Sequence, residues 1–155
     1  EFSIMLSTSA IDCISRVRLG FVASVTSGGR PSVSPKGTFV VLDKQTIAFG
    51  EIRSPGTMSN IGHSPEVEVN FVDPFTRKGW RIRGLTSVLR RETDGFDEIF
   101  SKWVALWGDL SHRIKAIVVV RISHVKPLST PSYDDGVSEA EMVAVYKAKY
   151  TGMYP

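Results

Sequence analysis

Hydrophobic and polar residues alternate with a period of two through most of residues 20–90. Three pairs of such segments are each joined by a polar connection: GFVASVT with PSVSP, TFVVLD with TIAFGE, and EVEVNFVD with WRIRGLTSVLR. Alternating segments separated by turn residues are typical of β-hairpins. Further along, AIVVVRISHV is almost continuously apolar, as expected of a buried central strand. Because no helix long enough for a βαβ crossover separates the first strands, the pattern predicts an antiparallel barrel.

Helical periodicity appears before this barrel and within it. Ser9, with Asp12 at the third helical position, is expected to cap a first helix that buries Ile11, Ile14 and Val17. Thr93 or Asp94 is expected to open a second, aromatic helix. Its apolar residues at spacings of three, four and seven are Phe96, Ile99, Phe100, Trp103, Trp107 and Leu110. This face either plugs the barrel or also places Trp103 or Trp107 beside a ligand or a second subunit.

The pattern predicts one domain in three parts. Residues 1–18 hold the first helix, residues 19–126 form the barrel with a helix inserted at 94–112, and residues 127–155 form an arm and a helix. The arm, residues 127–136, is irregular and holds Tyr133. The last helix is expected to start at the capping box SEAE, residues 138–141, and to continue to about Lys149.

Composition restricts the class of protein. Hydrophobic residues make up 42% of the chain and charged residues 23%, as in globular proteins, and no apolar segment approaches the ~20 residues that span a bilayer. Cys13 is the single cysteine, which excludes an internal disulfide and agrees with a reducing cytoplasm; it is expected to be buried on a helix face. Residues 1–4 lack a basic segment followed by an apolar core, so a frayed terminus is expected there instead of a signal peptide.

The net charge of +3 is too small to indicate nucleic-acid binding by itself. Its distribution is more informative, because residues 77–91 contain six basic side chains and no acidic one. This segment either faces an anionic ligand or forms a solvated hairpin face.

The motifs of the commoner enzyme classes are absent. The chain has no GxxxxGK[ST] loop, no GxGxxG after a strand, no HExxH and no GxSxG. His63, His112 and His124 lie in different predicted elements, so no metal site is expected. An enzyme built from these side chains would therefore have to take its chemistry from a cofactor.

RSPGTMSN, residues 53–60, is the best candidate for binding an anion. Ser54 or Thr57 could cap a short helical turn through Ile61, with Pro55 at its first position and Arg53 beside it. A phosphate fits such a helix start, and an ordinary loop with a helix cap is the alternative.

Taken in order, the segments GFVASVTSGGRPSVSPKGTFVV, FGEIRSPGTMSNIGHSPEVEVNFVD and WRIRGLTSVL resemble the pyridoxamine 5'-phosphate oxidase-like family of FMN-binding split barrels. The likeness covers residues 19–89, and the remainder matches only in the order of its elements. It implies a mainly β fold, a six-stranded antiparallel split barrel with flanking helices, that forms a homodimer and holds FMN between the subunits.

The resemblance also implies which residues contact the cofactor. On the phosphate loop and its adjoining turn they are Arg53, Ser54, Thr57 and Asn60. On the flavin-facing strand they are Ser32, Val33, Ser34, Pro35 and Lys36. On a neighbouring strand, Arg81 or Arg83 could reach the flavin or its phosphate. Trp103 or Trp107 and the arm around Tyr133, from the second subunit, are expected to wall the substrate cavity.

The flavin-facing strand RPSVSPKG has an unusual composition for a strand. Pro31 is expected to start it and Pro35 to end or bulge it, which leaves unpaired backbone groups along an edge. Lys36 is the first candidate to stabilise the anionic reduced flavin.

Two departures from the family argue against vitamin B6 oxidation. The family's phosphate loop is of the S-R-K type, whereas here Arg53 precedes Ser54. The family also uses an arginine and a histidine near the C-terminus to hold the substrate's phosphate, whereas here Arg121 and His124 are the last of their kinds.

The first hypothesis is an FMN-dependent oxidoreductase acting on a small organic substrate, with a nicotinamide nucleotide or the substrate itself as reductant. A flavin, deazaflavin or haem binding protein without turnover is the alternative within the fold. From another class, a small β-barrel nucleic-acid module could use residues 77–91, but the chain lacks an RNP-type aromatic strand.

Overall fold

An antiparallel sheet of seven strands forms the centre of the structure, a computed structural model that describes residues 3–155. Its strands are β1 Gly20–Val25, β2 Pro31–Lys36, β3 Phe39–Asp43, β4 Thr46–Glu51, β5 Glu66–Val72, β6 Gly79–Arg90 and β7 Ala116–Leu128. The helices are α1 Thr8–Val17, α2 Pro55–His63, α3 Phe96–Trp107, α4 Pro131–Asp134 and α5 Glu139–Met153, with a 3-10 helix at Gly108–Arg113. Glu1 and Phe2, half of the expected frayed terminus, lie outside the described residues.

The strand order is β2-β1-β5-β6-β7-β4-β3, so all three predicted hairpins form and β7 is an interior strand between β6 and β4. β6 and β7 pair along their whole length, with a shift in register between Arg83 and Gly84. Within the described residues β2 and β3 do not pair with each other, which leaves the barrel split.

The expected number of six strands is wrong, because each strand-like segment pairs with a neighbour and there are seven within residues 3–155. β2 in particular does not end or bulge at Pro35. It pairs with β1 without a shift in register from Pro31 to Lys36, and Pro35 lies opposite Phe21. An edge strand tolerates proline because an N–H that points away from the neighbour is not needed for pairing.

The main core lies inside the barrel and fixes where β1, β3 and β4 meet. Phe39 packs against Phe49 and Phe71, with ring centroids 5.2 and 4.8 Å away. Gly20 is required beside these rings, because a Cβ atom there would lie 2.6 Å from the Phe39 ring. The start of β1 and the end of β2 are thereby held against the core.

A second hydrophobic cluster lies under α3 and supports the interpretation that its aromatic face covers the barrel. Phe96 and Trp103 are buried with Ile114 and Ile117. Trp103 is 0% exposed, and its indole N–H donates a hydrogen bond to the Thr38 carbonyl at 2.8 Å. The indole therefore anchors the short connection from β2 to β3.

Helix ends differ from the prediction where the capping signal was ambiguous. The N-cap of α1 is Ser7, whose hydroxyl accepts from the Ala10 N–H, and not Ser9. α3 begins after Gly95, at φ 86°, and neither Thr93 nor Asp94 caps it.

Other predictions for the helices are closer to the structure. Cys13 is buried in α1 as expected, and Ile14 is buried beside it. The capping box of Ser138 and Glu141 is confirmed, although α5 extends beyond Lys149 to Met153. No helix within residues 3–155 has the length and apolar character needed to cross a membrane.

Candidate functional site

The polar residues of β2 form one wall of the candidate site. Alternation along the strand places Ser32, Ser34 and Lys36 on the face that Ser24 and Val22 of β1 share, since these residues are directly opposite in register. Lys36 is buried and the two serines are half-buried. The structure thus brings three of the five predicted residues of this strand together on one face.

Lys36 carries a positive charge into this wall. Its ammonium donates to the Ser34 hydroxyl at 2.9 Å and lies 6.0 Å from the centroid of the Phe49 ring. Burial lowers the pKa of Lys36, and the charge of Glu51 acts in the opposite direction. The side chain has no ion-pair partner within residues 3–155, so donor capacity remains for a ligand.

Glu51, at the end of β4, organises the loop that leads to α2. The carboxylate of Glu51 is buried and accepts hydrogen bonds from the Ser54 N–H at 2.7 Å and the Ser54 hydroxyl at 3.2 Å. Thr38 braces the same strand, because its hydroxyl donates to the Gly50 carbonyl at 3.2 Å and accepts from the Gly50 N–H at 3.0 Å. Sequence reasoning missed both residues; the only signals were a polar residue just before β3 and another at the end of β4.

The start of α2 contains the residues named in the phosphate-loop hypothesis. Ser54 is the N-cap and Pro55 occupies the first turn, but the Ser54 side chain makes no capping hydrogen bond. The amides of Gly56 and Thr57 in that first turn therefore have no capping side chain, and they can bind an anion. Thr57, in the first turn of α2, is buried.

Asn60 joins this helix to the β2 wall. Its amide nitrogen donates to the Ser24 hydroxyl at 2.9 Å, and both residues are buried. Ser24 lies directly opposite Ser32, so β1 connects α2 to the polar face of β2. Asn60 is thus a residue that positions the site through Ser24.

Three of the predicted residues, Arg53, Val33 and Pro35, are exposed. Arg53 is exposed beside the α2 start and makes no ion pair within the described part of the chain. Val33 and Pro35 point to the opposite face of β2, where both are exposed.

Arg81 and Arg83 lie on that opposite face as well, which we call the outer face. It is the face of β2, β1, β5 and β6 on which the row Val33, Ala23, Glu68 and Arg83 lies in direct register. Arg83 pairs with Glu68 at 3.1 Å, and Arg81 donates to the Asn70 side chain at 3.3 Å. Within one chain the structure does not bring these arginines together with Lys36.

Much of the basic segment 77–91 is engaged inside the chain. The Arg77 guanidinium stacks 3.9 Å from the Tyr146 ring centroid and Lys78 pairs with Glu139 at 3.7 Å. Arg91 donates to the Ile114 carbonyl at 2.9 Å. These contacts favour a structural hairpin over a nucleic-acid-binding stripe.

The aromatic residues expected at the substrate cavity are dispersed. Trp103 lies in the core, so its ring is not on the surface that a second subunit could contact. Trp107 is half-buried, with the Arg18 guanidinium 5.8 Å from its ring. The Tyr133 hydroxyl donates to the Thr76 carbonyl, which attaches the arm to the β5–β6 connection.

The comparisons with known proteins agree with this architecture. The family model described as pyridoxamine 5'-phosphate oxidase matches residues 8–127. HupZ of Group A Streptococcus superposes with a TM-score of 0.70 at 24% identity, covering 81% of this chain and 96% of that one. An FMN-binding protein of Syntrophomonas wolfei gives 0.65 at 15%, covering 78% and 84%. An F420 reductase gives 0.62 at 19%, covering 78% and 98%. No curated protein matches.

Proposed function

The chain belongs to the pyridoxamine 5'-phosphate oxidase family, and on that premise we propose that it binds FMN between β2 and α2 and is a flavin-dependent oxidoreductase for a small organic substrate. One observation carries this proposal. A buried lysine without an ion-pair partner within residues 3–155 lies in the field of Glu51, and the Glu51 carboxylate also accepts from the N-cap residue of a helix start whose amides have no capping side chain. These two features suit the two ends of FMN, a polar ring and a phosphate.

The residues of the site fit the cofactor part by part. The Gly56 and Thr57 amides and the Arg53 guanidinium would hold the phosphate, because a helix start and a cation both favour an anion. Ser32, Ser34 and Lys36 would hydrogen bond the polar edge of the ring. Glu51 is occupied by Ser54, so its negative charge fixes the loop.

Flavin supplies hydride and electron transfer when bound, and the protein needs to orient it and stabilise charge. The Lys36 ammonium would stabilise negative charge that develops at the pyrimidine end of the ring, and its low-dielectric surroundings strengthen that effect. The reductant in this proposal is a nicotinamide nucleotide or the substrate itself.

We also propose a homodimer with FMN near the subunit contact, in the cytoplasm. The support for the dimer is the outer face, where Phe21, Val25, Val33 and Leu85 are exposed in one chain. Apolar side chains gathered on one sheet face are typical of a surface that another protein covers. The single cysteine is consistent with a reducing compartment.

Binding of FMN is the first test. The purified protein should carry a yellow chromophore that is released on denaturation and co-migrates with FMN. At a concentration 100 times the dissociation constant, FMN should stabilise the flavin-free chain by about 2.7 kcal/mol. A colourless preparation that neither regains colour with FMN nor is stabilised by it would contradict the proposal.

Substitution of Arg53 tests the phosphate assignment. Arg53→Ala should weaken FMN about tenfold or more while changing riboflavin little, because only FMN has a phosphate to lose a charge-assisted bond. Lys147→Ala on α5 removes an exposed positive charge elsewhere and is the matched control. Equal weakening of FMN and riboflavin would move the phosphate to another part of the chain.

Turnover is tested separately from binding. Candidate substrates and nicotinamide nucleotides are mixed anaerobically with the FMN-loaded protein while the flavin absorbance is followed. Bleaching by a reductant and its recovery on adding an acceptor would support an oxidoreductase. FMN that binds but is not reduced by any of them would favour the alternative of a flavin carrier.

A further inference from the structure

Three cations surround an open concavity next to the proposed phosphate site. Arg53, Arg113 and Lys115, together with Ile52, line a volume of about 540 Å³. All three cations are exposed, and within residues 3–155 none pairs with a carboxylate or donates a side-chain hydrogen bond. Positive charges gathered in a concave surface focus the electrostatic potential and attract anions.

Another concavity differs in its charge distribution from the one lined by Arg53, Arg113 and Lys115. It has about 550 Å³ and lies between α1, the β5–β6 connection and the start of α5. Its cations are neutralised, because Arg16 pairs with Asp73 at 3.0 Å and Lys78 with Glu139 at 3.7 Å. Within residues 3–155, Arg53, Arg113 and Lys115 have no such compensation, so the concavity that they line is better suited to an anion.

Hydrogen bonds hold the backbone segments that carry the three cations. Arg113 and Lys115 flank the buried Ile114, so both project to the outside of the same short segment. The Lys115 N–H donates to the Glu51 carbonyl at 2.8 Å, which ties that segment to β4 just before Arg53. From behind, Arg91 donates to the carbonyls of Ile114 at 2.9 Å and His112 at 3.3 Å. The cluster therefore does not depend on a loose loop.

We propose that this basic concavity, Arg53, Arg113 and Lys115, is a second anion site that binds a phosphate or carboxylate group of the reactant that exchanges electrons with the flavin. The proposal rests on the proposed function, because it assigns one anion to FMN and another to the second reactant. FMN has a single phosphate, and the α2 start with Arg53 provides for it. Arg113 and Lys115 are additional cations that the FMN phosphate does not require, and Arg53 joins the two sites.

Titration with inorganic pyrophosphate and with succinate tests the site and distinguishes its chemistry. Calorimetry on the FMN-loaded protein should detect binding of at least one of them, pyrophosphate for a phosphate site and succinate for a carboxylate site. The double variant R113Q/K115Q should weaken that binding about tenfold or more, because two charge-assisted contacts are lost. FMN affinity should remain within about twofold of the parent, since the α2 start is intact.

The double variant K44Q/K147Q is the control of equal charge. Lys44 lies in the turn before β4, at the opposite end of that strand from Arg53, and Lys147 lies on α5. It should bind the probe as the parent does. Absence of binding by either probe, or equal loss in both double variants, would overturn the proposal.

Two results distinguish failure of this inference from failure of the proposed function. If R113Q/K115Q weakens FMN as strongly as R53A and leaves riboflavin unchanged, the concavity is the FMN phosphate site and the second site is refuted. If the parent does not bind FMN, the proposed function fails. The same titration on the flavin-free chain then decides whether the concavity binds an anion at all.

Discussion

Lys36 places a positive charge inside the protein with only a serine hydroxyl as its close polar partner. Its ammonium is 2.9 Å from the Ser34 oxygen, and burial lowers its pKa. Folding therefore pays a desolvation cost at this position that an apolar residue would not incur. A desolvation cost of this kind is expected at a candidate site where the charge interacts with a ligand.

Replacing Lys36 by methionine should separate stability from cofactor binding. We expect Lys36→Met to raise the free energy of unfolding of the flavin-free chain by about 1 kcal/mol, because an apolar side chain of similar length removes the buried charge. The same variant should weaken FMN about tenfold or more, because a hydrogen bond from a charged group is lost. Urea denaturation and fluorescence titration with FMN measure the two effects.

The stability effect has a defined pH dependence. The folded-state pKa of Lys36 lies below the 10.5 of an ordinary lysine, so the unfolded chain binds more protons between these two values. The cost of the buried charge is present at neutral pH and is lost as the pH rises through the folded-state pKa. The advantage of Lys36→Met should shrink over that alkaline range. Lys44→Met, in the exposed turn before β4, is the control, and an equal gain there would refute the assignment to burial.

The resemblance assigned all of residues 32–36 to the cofactor contact, but alternation along β2 places only Ser32, Ser34 and Lys36 on the face shared with Val22 and Ser24. The role of Lys36 stays a prediction. Glu51 escaped prediction because its role depends on the Ser54 N–H and hydroxyl, which only the folded loop brings to it. Arg113 and Lys115 are far from Arg53 in sequence, so no local pattern could join them.

Asp73 stabilises the β5–β6 connection and joins it to α1. The Asp73 carboxylate is buried and accepts from the N–H groups of Phe75 at 2.8 Å and Thr76 at 3.2 Å, and from Arg16 of α1 at 3.0 Å. Burial opposes ionisation of Asp73, but these donors outweigh it and lower its pKa. The connection also contacts α5, since Arg77 donates to the Tyr150 hydroxyl at 2.7 Å.

Asp73→Asn should destabilise the fold by about 2 kcal/mol at pH 7, because hydrogen bonds to a charged acceptor are weakened. The folded-state pKa of Asp73 lies below its ordinary 3.8, so its contribution is complete above that value and is lost as the pH falls through the folded-state pKa. The difference between the two proteins in urea denaturation should therefore decrease below about pH 4. Asp94→Asn, at an exposed position before α3, is the control. A difference that does not change with pH would exclude the carboxylate charge as the cause.

An element end was predicted best where two nearby residues cap it by reciprocal hydrogen bonds. The capping box of α5 was located correctly because Ser138 and Glu141 satisfy each other's backbone partners without help from the rest of the chain. The start of α1 was misplaced because two serines, Ser7 and Ser9, offer the same hydroxyl, and the choice between them is not made by spacing. The residue before α3 is Gly95, in the left-handed conformation, whereas the prediction relied on a hydroxyl or carboxylate cap.

The fold as a whole followed from periodicity, because three hairpins with short connections leave few antiparallel arrangements. All seven strand-like segments of the pattern pair in the sheet, so the count of six that the family resemblance implied is wrong. The orientation of the outer face was also beyond sequence reasoning. Phe21, Ala23 and Val25 are all apolar, yet it is the Val22 and Ser24 face of β1 that is buried.

That exposed apolar face leads to a prediction about assembly. Val33 is 68% exposed in the centre of the β2 part of the outer face, opposite Ala23 and near the exposed Phe21 and Val25. If a second copy covers this face, Val33→Glu places a charge in the contact, where desolvation without a partner is unfavourable. Light scattering at micromolar concentration should then give the mass of a dimer for the parent and of a monomer for the variant.

Leu106→Glu on α3 is the matched control, since Leu106 is also an exposed apolar residue but lies on a different surface. It should leave the dimer intact if the outer face is the contact. Dissociation by Leu106→Glu and not by Val33→Glu would place the contact at the aromatic helix instead, and a monomeric parent would refute the dimer. Because the polar side of β2 is the proposed flavin wall, a Val33→Glu monomer that also loses FMN affinity would indicate that the second copy completes the cofactor site.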